Sequence, residues 1–308
     1  MPVHSHVIEG QIPPKLRLDR YVSEFLRLLS RSQIKARNLK AKVNGKEVKL
    51  SRPVKTGDSL ELCWDDSIQE NVEPQNIPLE VIYEDERCIV INKAQGLVVH
   101  PGAGNRQGTL ANALCFRRSE KGGGRGEDVR SGIVHRLDKE TSGIIIAAWD
   151  DEALAFLSDQ FKSRKVKKTY AAIVCGVPKE KNGRIETCIA RDPKDRKRFT
   201  VSTHGKTALT FYKVIKSWRN YSLLLLRPRT GRTHQLRVHL KYLGHPILGD
   251  PVYGHNDKNF PCATLMLHSR SLAITLIGET EERLFSSPIP ERFLAVIEKL
   301  DAAGGARE

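Results

Sequence analysis

The chain has 308 residues, enough for about two domains, and its 39% hydrophobic and 28% charged content describes a protein that buries a proper core, excluding collagen-like, membrane-embedded and disordered classes. Lys and Arg outnumber Asp and Glu by 51 to 36, a formal charge of +15, which points to a polyanionic partner unless the charge serves only to solubilise. Six widely spaced cysteines without a Cys-x-x-Cys pair argue against a disulfide or zinc scaffold. The N-terminus lacks a signal-peptide apolar core and no stretch reaches the roughly 18 apolar residues of a membrane span, so a cytoplasmic protein with no membrane partner is expected.

Leu18, Tyr21, Val22, Phe25, Leu26 and Leu29 recur at helical spacing and predict an amphipathic helix over 18–29. Ser30 and Ser32 offer N-caps for a second short helix through Ile34 and Leu39, with Lys35, Arg37 and Lys40 on its outer face. Asn44-Gly45 supplies the two positive φ angles of a tight hairpin between Ala41–Val43 and Lys46–Val48, and Gly57-Asp58 precedes one more strand, Ser59 to Leu62. Between Lys15 and Lys55, thirteen Lys and Arg face three acids, +10 over 41 residues. Such a surface neutralises phosphates, the alternative being a solvated basic face without a partner.

Arg17-Leu18-Asp19, Ser30-Arg31-Ser32-Gln33, Val43-Asn44-Gly45 and Gly57-Asp58 together resemble the RNA-binding domain of ribosomal protein S4. The resemblance implies a helix-helix-hairpin RNA-binding domain over 15–63, with Lys35 and Arg37 among its RNA contacts. Leu39 stands where that family places a glycine. Residues 64–78, acidic and containing Pro74 and Pro78, read as a linker, and 79–300 as a second domain.

In that second domain short apolar strands alternate with turns and helices, as in Glu80–Tyr83 and Cys88–Ile91, so mixed α and β structure is expected. Gly122–Gly126 reads as flexible sequence and lacks the pattern of a nucleotide-binding P-loop. Two apolar strands, Ile133-Val134 and Ile144–Ala148, flank a polar interruption from His135 to Gly143. An interruption of that kind drives its side chains to the rim of a sheet, where Asp138 is either held for catalysis or used to cap a turn or pair with Arg136. Lys162–Lys168 carries five cations in seven residues and leads into a strand opening with Tyr170, which either stacks on a base or fills the core. Farther on, a strand ends in Arg227, Arg229 and Arg232, and Thr233 caps a helix with the stripe Leu236, Leu240 and Leu243 closed by Gly244. Arg237 lies beside that stripe and must find an acid or a phosphate. His234 and His239, five apart, do not share a helical face, which disfavours a metal site.

His135-Arg136-Leu137-Asp138-Lys139-Glu140-Thr141-Ser142-Gly143, Asn92-Lys93 through Gly96–Gly102, Lys168-Thr169-Tyr170-Ala171, Gly231–His239 and Gly244-His245-Pro246 to Gly249-Asp250 together resemble the RluA/RluD family of pseudouridine synthases from about Leu79 to Phe293. Ala94 departs from the family's usual proline. The resemblance implies an α+β catalytic domain, with a central mixed, largely antiparallel sheet flanked by helices. The implied reaction is cofactor-free and metal-free isomerisation of uridine to pseudouridine in RNA. Asp138 would act on the sugar or base, Arg237 would pair with it and fix its aim, and Tyr170 would stack on the base and serve proton removal. Arg136 would fill the space left by a flipped uridine, and His135, Lys168 and Arg232 would contact RNA. A basic S4-like domain in front implies large-subunit ribosomal RNA as substrate, and because catalysis in this family does not require a partner subunit, a monomer is the expected working form. The alternatives are a tRNA or dual-substrate synthase and a non-catalytic RNA-binding ribosome-assembly factor.

Overall fold

The computed structural model describes residues 3–303 except 27, 30–33, 35–36, 66–71, 103, 122–131 and 196. The chain divides into two compact units, Met1–Asn71 and Val72–Glu308. Among the described residues no helix is long and apolar enough to cross a membrane.

The first unit is a four-stranded antiparallel sheet in the order β1-β4-β2-β3, formed by Val3–Val7 (β1), Lys40–Val43 (β2), Lys46–Val48 (β3) and Ser59–Cys63 (β4). The hairpin turns at Asn44 and Gly45 (φ 52° and 75°) as its dipeptide demands. Two features depart from expectation. Strand β1, unforeseen because its apolar residues are few, pairs with β4 along its whole length. The helix expected over 18–29 is α-helical only at Leu18–Arg20 (α1) and continues as a π turn at Tyr21–Phe25, which still buries Leu18, Tyr21 and Val22. The second helix's proposed caps, Ser30 and Ser32, and Lys35 lie outside the described residues. At the corner before β2 the left-handed residue is Asn38 (φ 45°), a type that tolerates that conformation, so Leu39 is free to enter the core.

In the second unit, ten strands among the described residues form one sheet. They are Glu80–Glu84 (β5), Cys88–Lys93 (β6), Ser142–Ala148 (β7), Lys167–Cys175 (β8), Asn182–Arg191 (β9), Phe199–Val201 (β10), Lys206–Ser217 (β11), Tyr221–Pro228 (β12), Leu267–Thr275 (β13) and Glu282–Ser286 (β14). Their order is β10-β9-β11-β12-β8-β13-β7-β6-β5, with β14 on β13. Every pairing is antiparallel except β13 with β7. The fold is therefore α+β with a mixed, largely antiparallel sheet. Helices Leu110–Glu120 (α2), Asp151–Lys162 (α3), Gln235–Tyr242 (α4) and Glu291–Ala302 (α5) accompany it, the first two capped by Thr109 and Asp150.

The continuous apolar run of β7 is buried at every residue, the pattern of a strand covered on both faces. Alternation sends Ile145 and Ala147 into one core cluster and Ile144, Ile146 and Ala148 into the other. At the start of β7, Gly143 faces β13 so closely that a Cβ would lie 2.2 Å from the Ser269 carbonyl oxygen, and its φ is +109°. Only glycine allows the two backbones that approach. Ile133-Val134, expected as a strand, contributes only a single bridge from Ile133 to Ala147, because Ile146, the position that would extend the pairing, gives its amide to the His135 ring.

The segment expected as a linker is shorter than 64–78. Asp65 belongs to the first unit through the Arg37 carbonyl and Asn38. Glu73 and Gln75 are hydrogen-bonded to Asn112 and Gly108 near the start of α2 in the second.

Candidate active site

The polar interruption ahead of β7, the start of β8 and the loop and helix after β12 converge on a cavity of about 510 Å³. Its described lining includes seven Lys and Arg side chains (Arg136, Lys162, Arg164, Lys168, Arg229, Arg232 and Arg237) and a single carboxylate, Asp138. This imbalance suits a polyanion whose one point of chemistry meets Asp138.

Asp138 is placed by the chain beneath it. Thr141 donates its amide to the Asp138 carbonyl (3.1 Å), Gly96 donates to the Lys139 carbonyl (2.9 Å), and Gln95 Nε2 donates to the Glu140 carbonyl (2.8 Å). Lys93, the last residue of β6, is buried, and its ammonium donates to the carbonyls of Ala94, Leu97 and Lys139. Burial brings its pKa down to about 8, against the pull of Glu140 and Asp138. Gln95 and Lys93 therefore clamp the loop from the strand behind it, and the turn at Ala94 is held without a proline.

Arg237 projects from α4 into the core with its side chain 4% exposed. Its principal acidic partner is Asp250, with Asp138 a second and more distant one. Nε and Nη2 form a bidentate pair with Asp250 at 2.8 and 2.7 Å, while Nη1 reaches Asp138 Oδ2 at 3.4 Å. Asp250 also accepts the amides of Val252 and Tyr253. Burial alone would raise its carboxyl, but the bonds and charge of Arg237 outweigh that and hold it below the usual carboxylate range. The guanidinium is thereby fixed before any ligand arrives and offers its remaining edge to Asp138.

The expected N-cap, Thr233, is displaced by one residue. His234 occupies the cap position with φ 54° and makes no side-chain cap bond. The loop before α4 is stapled by Gln235 instead. Its amide nitrogen donates to the Leu209 carbonyl and Thr210 hydroxyl of β11, while its oxygen accepts from Thr230 and the Arg232 amide. The shift leaves the His234 ring in the cavity, with Nε2 4.0 Å from Asp138 Oδ2. In the sequence His234 belongs to the Gly231–His239 motif without a role of its own, and the pattern Thr-His-Gln holds no signal of the displaced cap.

Tyr170 lies on β8 opposite Leu226 of β12 and Ser269 of β13. It is 8% exposed yet lines the cavity, so it fills the core and borders the cavity at once. Burial pushes its phenol up to about 12 despite a hydrogen bond from Ser269. It is a protonated phenol at neutral pH. His135 is committed to the fold: its Nε2 accepts the Ile146 amide, its ring stacks on Phe161 at 4.4 Å, and burial with Lys168 nearby brings its pKa down to about 3. Lys168 is itself lowered by burial and sits over the Phe161 ring. Arg136 is exposed at the mouth, and Arg232 is tied by Nε to the Thr207 carbonyl. Arg37, in the first unit, is half-buried, and its carbonyl receives the Asp65 amide.

One Cys-His-Asp grouping among the described residues, Cys175, His255 and Asp257, brings its ligand atoms within 4.8 Å of one another. None of the three lines the cavity, and Asp257 already accepts from Tyr221 and the Asn259 amide.

A family model for RNA pseudouridylate synthase matches residues 87–242. The ribosomal large subunit pseudouridine synthase D of Borreliella burgdorferi is 46% identical over 287 residues, covering 91% of this chain and 88% of the relative. An RNA pseudouridine synthase of Aquifex aeolicus is 44% identical, covering 84% and 83%. Among solved structures, human RNA pseudouridylate synthase domain containing 1 superposes with a TM-score of 0.59 at 28% identity, covering 76% of this chain and 90% of that one.

Proposed function

Because the chain belongs to the RNA pseudouridylate synthase family and is an RNA pseudouridine synthase, we propose that it isomerises uridine in large-subunit ribosomal RNA with Asp138 as its central catalytic residue. The observation that carries this reading is the single carboxylate among the described residues of a cavity lined by cations, tethered on one oxygen by Arg237. The reaction breaks the N1–C1′ bond, rotates the uracil, forms C5–C1′ and transfers one proton from C5 to N1. It needs no redox partner and no energy donor. An ionised Asp138 serves as the nucleophile or as the electrostatic partner of the sugar. Tyr170 supplies a ring against which the base stacks, and its phenol takes part in the proton transfer only if base or substrate lowers its pKa from about 12.

A uridine in folded RNA must leave its stack first, at a cost of a few kcal/mol. Arg136, exposed at the mouth, is suited to fill the gap with a planar cation that also binds phosphate. Lys162, Arg164, Lys168, Arg229 and Arg232 would hold the flanking backbone. The basic first unit, with its resemblance to the S4 domain, would dock the RNA. The ribosomal substrate is supported by the name of the Borreliella burgdorferi relative.

Purified Asp138→Asn protein tests the catalytic assignment. Pseudouridine formation is expected to fall by about a thousandfold or more with RNA binding retained, and undiminished formation would overturn it. Mapping pseudouridines in total RNA from a deletion strain tests the substrate, and loss from tRNA alone would reject the ribosomal assignment.

A further inference from the structure

Asp138 has two unequal oxygens. Both neighbouring nitrogens, Arg237 Nη1 at 3.4 Å and His234 Nε2 at 4.0 Å, approach Oδ2, and no hydrogen bond among the described residues reaches Oδ1. What His234 offers Oδ2 depends on which ring nitrogen carries its proton, and the surrounding bonds decide that. The Phe199 amide donates to the Tyr253 phenol oxygen at 2.8 Å, and the same oxygen lies 2.9 Å from His234 Nδ1. Tyr253 is 4% exposed, and His234 Nδ1 is the one described acceptor for its hydroxyl proton. An unpaired buried hydroxyl is costly, so Tyr253 donates to Nδ1 and Nδ1 accepts. The proton of the neutral imidazole is then on Nε2, facing the carboxylate. Burial keeps the ring neutral by lowering its pKa, against the pull of Asp138.

We propose that His234 is a positioning residue whose Nε2–H, fixed by the chain Phe199 amide to Tyr253 hydroxyl to His234 Nδ1, holds Asp138 by Oδ2 and leaves Oδ1 to meet the uridine. The proposal deepens the functional reading above and rests on it for its consequence in catalysis. The 4.0 Å separation closes to a hydrogen bond when RNA fills the cavity, as catalytic bonds tighten on substrate binding. The left-handed backbone at His234 is part of the arrangement, because it turns the ring away from the helix start and into the cavity.

The tautomer is read without RNA, from long-range proton–nitrogen spectra of 15N-histidine-labelled full-length protein at neutral pH, with His234 assigned by its loss in His234→Gln. The expected signature is Nε2–H with Nδ1 unprotonated, shifting toward a tautomer mixture in Tyr253→Phe. Nδ1–H or imidazolium at His234 would overturn the inference whatever the activity. In turnover assays, His234→Leu is expected to lose kcat by about tenfold to a hundredfold with KM for RNA unchanged, while His234→Gln, which carries the same backbone strain but keeps a donor, recovers much of it. Equal losses in the two variants, or a loss carried in KM, would also overturn it. Wild-type protein that forms no pseudouridine would count against the underlying functional reading, and the tautomer measurement would still decide the geometry.

Discussion

Arg237 and Asp250 set the energetic terms at the residue scale. Their side chains are 4% and 0% exposed and joined by two short bonds, and a buried pair of this kind is most sensitive when only one charge is removed. Asp250→Ala is expected to destabilise the fold by about 3–5 kcal/mol in urea unfolding, more than the double variant Asp250→Ala with Arg237→Met. Because the folded-state pKa of Asp250 lies below the usual carboxylate value, its stabilisation is present above that usual value. It is lost as pH falls through the depressed one. Asp138 and Arg237 stand out in the sequence, one inside a polar break between apolar runs and the other beside an apolar helical stripe. Asp250 and Lys93 fall in motifs shared with the family, but nothing local to either residue names a partner 13 or 46 positions away.

Strand junctions carry the argument at the scale of elements. Gly45 and Gly143 both have positive φ, yet a Cβ on Gly45 meets nothing within 4 Å whereas one on Gly143 collides with the backbone of Ser269. Gly45→Ala is expected to cost about 1 kcal/mol, the left-handed penalty alone. Gly143→Ala adds overpacking against an immobile neighbour and is expected to cost about 3 kcal/mol or more. Denaturant midpoints of the two variants measure the difference, and similar values would show that β13 yields to β7. The hairpin at Asn44-Gly45 is legible because its dipeptide specifies its own geometry. The displaced cap at His234 is not, because Gln235 reaches across to β11 to fix it.

For the whole molecule the question is where the charge acts. Of the net +15, +10 lies between Lys15 and Lys55, while seven cations among the described residues line the cavity. Lys40, Lys46 and Lys49 are exposed in the first unit, outside the cavity lining. Replacing all three with Gln is expected to weaken RNA binding and make the log–log salt slope shallower by about two, with turnover at saturating RNA unchanged. An unaltered slope would mean that this face does not meet phosphates.

The sequence by itself determined the apolar strands β6 and β7, the α+β class, the hairpin, the uneven charge and the polar loop that bears Asp138. Each of these depends on residues near one another along the chain, where periodicity, turn chemistry and composition act directly. Tertiary structure decided the rest: that Asp250 rather than Asp138 holds most of Arg237, that Lys93 and Gln95 clamp the loop, and that His234 faces the cavity beside Asp138. The approach of Asp138 to Arg237 and His234 follows from β13 pairing in parallel with β7 and antiparallel with β8, which brings together segments about a hundred residues apart, and the clamp follows from β6 pairing with β7. Burial there makes an unpaired polar group costly and so favours the pairings that form.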